Sequence, residues 1–316
     1  MQQFQFPFSA ISGQEDFKLC LLLCMIDPSI GGVLAFGDKG TGKTTTVRGV
    51  EQLMKIRNEH FKLVNLPIGA TEDRVLGSIS LETLINEKKT VIRQGLLGKA
   101  HHGILYIDEV NLLNDYLMDV LLDASSSGGY FLERDGISNW QDSRFCLVGT
   151  MNQEEGQLRP QLLDRFGLSV NVQTVHNIQI REEIMRRRMD FDLNPEGFCS
   201  KFKDEEVKIL NQVDAAKKLL KQLATAPHIF SEIASICVDH QVEGHRADIL
   251  LIKTAMAFAA YHNRNNVSND DVEAIQHLVL AHRSKKKNTS PNSHKNNEGK
   301  SSGEEKEGYT VRKIMR

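Results

Sequence analysis

No stretch of the 316-residue sequence approaches the roughly 20 consecutive apolar residues that a membrane-spanning helix needs. The N-terminal residues lack the basic region followed by an apolar one that marks an export signal, so a cytoplasmic protein with no membrane contact is expected. Charge of one sign is missing too. The 39 Lys and Arg stand against 41 Asp and Glu, a formal charge of −2, and no overall field draws the chain to nucleic acid or lipid. Cysteine is sparse, with five residues and no zinc-site or disulfide-frame spacing among them. Cys20 and Cys24 fall on an apolar helix face within 17–25 and read as small buried hydrophobes. What remains, 40% hydrophobic and 25% charged, is ordinary for a globular protein. The length suits two domains of about 100–200 residues.

The stretch Gly37-Asp38-Lys39-Gly40-Thr41-Gly42-Lys43-Thr44 fits G-x-x-x-x-G-K-[ST], preceded by the apolar run 32–36 and followed by a helical pattern from Thr44 to Leu53. Strand, loop and helix in that order form a P-loop. Its glycines let backbone N–H groups curl around phosphate oxygens, and the positive end of the helix dipole faces the same anions. Residues 37–45, Thr45 included, are the expected ATP-binding set. Lys43 would reach the β- and γ-phosphates, and the Thr44 hydroxyl would join the shell of a bridging Mg²⁺.

The apolar run 103–107 ends in Asp108 and Glu109 and looks like a Walker B strand. Ligands sit at the carboxyl ends of parallel strands, so Asp108 would hold Mg²⁺ and Glu109 would polarise the attacking water. The strand 144–150 delivers Asn152 just past its end, either to hold the lytic water or γ-phosphate or as a turn residue. Strands over 61–67 and 167–172 complete a set of five. Two insertions are expected: 77–95, as a hairpin or a short helix plus strand, and 130–140, a hairpin turning at Asp135-Gly136. Helices are expected over 14–25, opened by a Ser12/Glu15 capping box, and over 114–127. Phe4, Phe6 and Phe8 alternate, and burial on one face of a strand is preferred to contact with adenine.

From Asn177 onward the pattern is helical, over 177–191, 204–223, 227–240, 245–263 and 268–283. Ile249, Ile252, Ala255, Met256 and Ala259 mark one buried face. Arg246 stands at a helix start, where the dipole disfavours a cation, and a nearby phosphate would explain it. Beyond Ser284 the composition turns to Lys, Asn, Ser, Gly and Glu, and a disordered tail is expected over 284–316.

These motifs, with Arg165 after Asn152, resemble those of an AAA+ ATPase. The blocks 6–16, 65–74, 106–113 and 155–168 are similar to those of the magnesium chelatase ATPase (I) subunit family. The resemblance spans roughly residues 4–283. It implies an α/β fold: a P-loop AAA+ core with a five-stranded parallel sheet and hairpin insertions over 1–175, then an all-helical lid over 176–283. It implies homo-oligomeric rings, commonly hexamers, that hydrolyse ATP. Partners would be a D-type AAA+ subunit with an integrin-type domain and a large porphyrin-binding subunit, and metal insertion into the tetrapyrrole would take place there. Asn152 matches the sensor-1 position, Arg165 the arginine finger acting on a neighbour's nucleotide, and Arg246 in Gly244-His245-Arg246 the sensor-2 arginine. Arg159 competes for the finger role, with a structural ion pair as its other reading. Met151-Asn152-Gln153 replaces the family's usual Gly-Asn-Pro. A MoxR-like AAA+ chaperone acting on an integrin-domain partner is the alternative. A DNA-engaged machine is disfavoured because 130–140 carries no basic stripe, so no nucleic-acid partner is expected.

Overall fold

The structure is a computed structural model that describes residues 4–79, 92–134, 137–152, 154, 156 and 158–285. The elements run α1 (Glu15–Ile26), β1 (Val33–Gly37), α2 (Lys43–Lys55), β2 (Leu63–Asn65), α3 (Glu72–Leu76), β3 (Gly77–Ile79), β4 (Ile92–Gln94), α4 (Leu96–Lys99), β5 (Ile104–Ile107), α5 (Asp115–Ser127), β6 (Gly129–Arg134), β7 (Ile137–Asp142), β8 (Cys146–Met151), α6 (Pro160–Arg165) and β9 (Leu168–Val172). Then come α7 (Ile178–Leu193), α8 (Pro195–Leu220), α9 (Pro227–Asp239), α10 (Arg246–Tyr261) and α11 (Asn269–Leu280). The described residues belong to one compact unit that ends at Lys285.

Five strands form a parallel sheet in the order β2-β5-β8-β1-β9. β5 and β8 are buried along their whole length, which is why they read as continuous apolar runs rather than alternating ones. One sheet face packs on α1, α2 and the later helices through Val33, Ala35, Ile104 and Val148; the other packs on α5 and α6 through Leu34, Leu105, Ile107 and Leu147. α1 is enclosed, with Phe17 and every residue from Cys20 to Ile26 buried, so both cysteines sit in the core as expected. β1 lies between β8 and the edge strand β9, so the loop after it opens at the sheet's carboxyl edge beside the end of β8.

Local chemistry sets the ends of several elements. Asn114 caps α5 by accepting from the Leu117 N–H, Gly128 ends it with φ 79°, and Ser268 and Asp271 form a capping box on α11. β6 and β7 pair as the expected hairpin, whose turn at Asp135-Gly136 lies outside the described residues. β3 pairs antiparallel with β4, giving the stem of the other insertion; 80–91 and the tail from 286 lie outside the described residues as well.

Other expectations are corrected. Ser12 and Glu15 form no capping box: Gln14 is the N-cap of α1 and its side chain caps nothing there, because it is engaged with the P-loop. Phe4, Phe6 and Phe8 lie on no strand. Phe8 is buried in the core, Phe6 stacks on Phe191 and Phe198 with ring centres 5.3 Å apart in both cases, and Phe4 faces outward. α8 begins at Pro195 rather than 204, with Asn194 accepting from the Gly197 N–H. On α10 the buried face is turned from the expected one: Leu250, Leu251 and Thr254 point inward and Ile249 is exposed, so Ala255 and Ala259 alone of the predicted five are fully buried.

Candidate nucleotide site

β1 hands over to the P-loop at Gly37, with φ 138°, and a Cβ there would lie 2.0 Å from the Val172 carbonyl oxygen of β9. Only glycine lets the two strands run this close where the loop departs. Gly42, φ 84°, turns the chain into α2, whose first residue is Lys43. The Lys43 Nζ donates to the Gly37 and Asp38 carbonyls, 2.7 Å in each case. The Asp38 carboxylate accepts from the Thr174 hydroxyl at 2.7 Å and from its N–H at 3.2 Å. Those bonds, with Lys43 and His176 nearby, hold the carboxyl below the usual carboxylate range. Asp38 therefore ties the loop to the strand-end segment after β9 by its side chain. Gln14 is a second tie: its amide donates to the Thr41 carbonyl and accepts from the buried Thr46 hydroxyl at 3.0 Å.

Across the cleft, Thr44 Oγ1 is hydrogen-bonded to the Tyr106 hydroxyl, which donates to Asp108 Oδ1 at 3.2 Å. The buried Thr150 hydroxyl of β8 donates to the same carboxylate oxygen. Burial raises the Tyr106 pKa, keeping the phenol a donor. Glu109 is in the left-handed region at φ 52°, uncommon for a residue with a side chain. A 420 Å³ cavity is lined by Lys39, Gly40, Thr41, Gly42, Lys43, Thr44 and Thr45 on one side and by Asp108, Glu109, Thr150, Met151 and Asn152 on the other. The structure thus brings the sequence-predicted lysine, threonines, carboxylates and Asn152 together. Among the described residues no cluster of three or more His, Cys, Asp or Glu is placed to hold a metal. One hydroxyl beside one carboxylate instead suits Mg²⁺, which keeps waters and takes phosphate oxygens.

Next to it lies a 430 Å³ cavity whose walls include Phe6, Ile11, Val175, Ile184 and Met185 together with the P-loop backbone at Lys39–Gly42. Its walls are mixed, with Gln14, Thr174, Arg181 and Arg188 beside the apolar side chains. Phe6 thus lines this cavity rather than one face of a strand. Arg187 holds the near wall by donating to the Ala10 carbonyl at 2.8 Å.

An AAA domain of the dynein-related subfamily matches residues 32–166, and an AAA lid domain matches residues 231–303. The magnesium-chelatase subunit ChlI homolog of Methanocaldococcus jannaschii is 41% identical, over 92% of this chain and 88% of its own length. The chain belongs to the magnesium-chelatase ChlI family. An uncharacterized protein of Mycobacterium tuberculosis is 44% identical over 88% of the chain, which spans 44% of that longer protein's length. A chain in a structure of the complex between subunits BchI and BchD of magnesium chelatase matches with a TM-score of 0.53 and 38% identity, covering 89% of this chain and 97% of that one.

In this ChlI-family chain, the remaining predicted residues lie away from the cavity walls. Arg165, at the end of α6, places its Nη1 2.8 Å from Asp119 and 2.9 Å from Asp123 on α5. Arg159 pairs with Asp115 at 2.6 Å, the structural reading raised for it. Arg246 is outside the lining of the P-loop cavity, and its Nη2 donates to the Arg165 carbonyl at 3.0 Å. Four participants escaped sequence reasoning: Gln14, Tyr106, Thr150 and Arg283, the last joined to the chain around Arg165. Among the described residues no helix is long and apolar enough to cross a membrane.

Proposed function

We propose that this ChlI-family chain is the AAA+ motor of a metal chelatase, binding ATP with Mg²⁺ and hydrolysing it to drive metal insertion into a tetrapyrrole. The observation that carries the reading is the single cavity in which Lys43 and Thr44 face Asp108, Glu109 and Asn152. In it, Lys43 would balance phosphate charge and Thr44 and Asp108 would hold the metal, with Tyr106 and Thr150 fixing the direction of the Asp108 carboxylate. Mg²⁺ would supply charge neutralisation at the β- and γ-phosphate oxygens. Glu109 takes the proton of the attacking water as Asn152 orients it, and general-base assistance of this kind contributes roughly 10²–10⁴-fold. Arg165 acts on the nucleotide of a neighbouring subunit and Arg246 reports on its own.

The working unit is a homo-oligomeric ring, a hexamer, partnered by a D-type AAA+ subunit with an integrin-type domain and by a porphyrin-binding subunit that performs the insertion. The proposed division is an α/β nucleotide domain to about 175 and a helical lid to about 283, and the unpaired cysteines suit a cytoplasmic protein. ATP hydrolysis by the purified protein, with metal insertion reconstituted from co-purified partners on candidate tetrapyrroles, tests the reading. Turnover that stays at background, or that continues in Lys43→Ala, overturns it.

A further inference from the structure

The chain from Asp164 to Gly167 ends α6 and carries Arg165. A helix leaves its last carbonyls without partners inside the helix. Here the last two of α6, at Asp164 and Arg165, and the next two, at Phe166 and Gly167, are taken by two guanidinium groups, one at the start of α10 and one just past the end of α11. Arg283 donates from Nη2 to the Asp164 carbonyl at 2.7 Å and to the Phe166 carbonyl, and from Nη1 to the Gly167 carbonyl at 3.1 Å. Arg246 takes the fourth, the Arg165 carbonyl. The Arg283 Nε donates to Asp164 Oδ1 at 2.9 Å, and Nη1 also reaches the Val279 carbonyl at 2.7 Å, so every N–H of this side chain has an acceptor. Its side chain is 2% exposed. Burial draws the guanidinium's pKa down, and the Asp164 carboxylate opposes that shift.

Stability alone does not call for this arrangement. A buried ion pair is often replaced by apolar side chains with no loss of stability, because desolvation offsets the attraction. What an apolar group or a lysine cannot do is hold several carbonyls at fixed directions, which a planar five-donor fork does. The opposite side of the segment is equally confined: a Cβ at Gly167 would lie 1.9 Å from the Ile30 carbonyl oxygen. His282, the residue before the fork, is bonded through Nδ1 to the Ser169 hydroxyl at 2.6 Å, so the chain after α11 follows this segment into β9.

We propose that Arg283 is a positioning residue for Arg165, fixing the backbone of α6 to the helical part of its own subunit so that the Arg165 guanidinium meets a neighbour's nucleotide. Displacement of α11 is then transmitted to Arg165 through bonded carbonyls, and Arg246 carries the same link from α10. This inference rests on the reading that Arg165 acts in trans.

The test uses full-length protein and ATP turnover in mixed rings. Arg283→Gln alone should keep the wild-type KM for ATP and lose roughly 100-fold in kcat, the scale of a misplacement of about 1 Å. Mixing it with Lys43→Ala, which is inactive yet has an intact Arg283, should restore turnover at the Arg283→Gln pockets. The control is Arg165→Ala mixed with Lys43→Ala, with subunit exchange verified. If the control recovers and the Arg283→Gln mixture does not, Arg283 serves only its own fold and the proposal is overturned. A control that fails overturns the trans reading and this inference with it. Should Arg283→Gln fail to fold, Asp164→Ala removes the acceptor of the Nε–H and leaves the carbonyl bonds; it should show a smaller kcat loss with the same rescue in trans. Wild-type turnover in both variants would also overturn the proposal.

Discussion

The Tyr106 hydroxyl stands 2.9 Å from the Thr44 hydroxyl, joining the first turn of α2 to the strand that carries Asp108. Replacing Tyr106 by Phe keeps the apolar body and removes this bridge between the two proposed metal ligands. The Mg²⁺ concentration for half-maximal ATP turnover should rise by roughly 3- to 10-fold, the value of one ordinary hydrogen bond. A Mg²⁺ titration at saturating ATP reads it, and an unchanged midpoint would remove Tyr106 from metal positioning.

Lys43 and Glu109 share one cavity and should fail differently. Lys43→Ala is expected to lose nucleotide binding. Glu109→Gln should bind ATP normally and release phosphate at least 100-fold more slowly, on the scale of lost general-base help, ~10²–10⁴. Equilibrium binding of a fluorescent ATP analogue beside steady-state phosphate release separates the two defects. Equal defects in both measurements would contradict the assignment.

Arg165 pairs with Asp119 and Asp123 on its own α5, away from its own P-loop. Arg165→Ala should therefore bind ATP with unchanged affinity, since Lys43, Thr44 and Asp108 are untouched. Its turnover should fall by about 10³-fold or more, as for other trans-acting arginines. Loss of ATP affinity in parallel with turnover would place Arg165 in its own site.

His282 is buried against Arg283 and Arg246, and burial first, then the neighbouring cations, bring its pKa from 6.5 to about 3. The unfolded chain binds a proton here between those values and the folded chain does not, so the unfolded state holds more protons in that window. Stability contributed by the neutral ring is complete above 6.5 and is lost progressively as pH falls toward about 3. Denaturant midpoints measured across that range should fall less steeply in His282→Gln than in the wild type. Parallel slopes would show that other groups govern acid unfolding.

The parts legible in the sequence were those fixed by short-range constraint. The loop from Gly37 to Thr44, the carboxylates ending β5 and Asn152 after β8 each announce themselves by a strand end and a fixed spacing. Gln14 and Arg283 were not legible, because their partners lie 27 or more and 116 or more positions away, apart from Val279. Arg283 also stands where a basic run begins and so reads as a solvated helix end. Tyr106 hides inside an apolar strand, where a hydroxyl does not alter the pattern. The Ser12/Glu15 signal was locally sound and lost to a tertiary demand, since the chain at Gly13 turns with φ 82° to deliver Gln14 to the loop.

The left-handed backbone at Glu109 sets folding against the general-base role proposed for that residue. Glycine or asparagine accepts φ 52° more readily than glutamate, so either would relieve strain of the order of 1 kcal/mol. Directed evolution for heat resistance, run without selection for ATP consumption, would therefore enrich changes at position 109 and yield sturdier proteins that no longer run as motors.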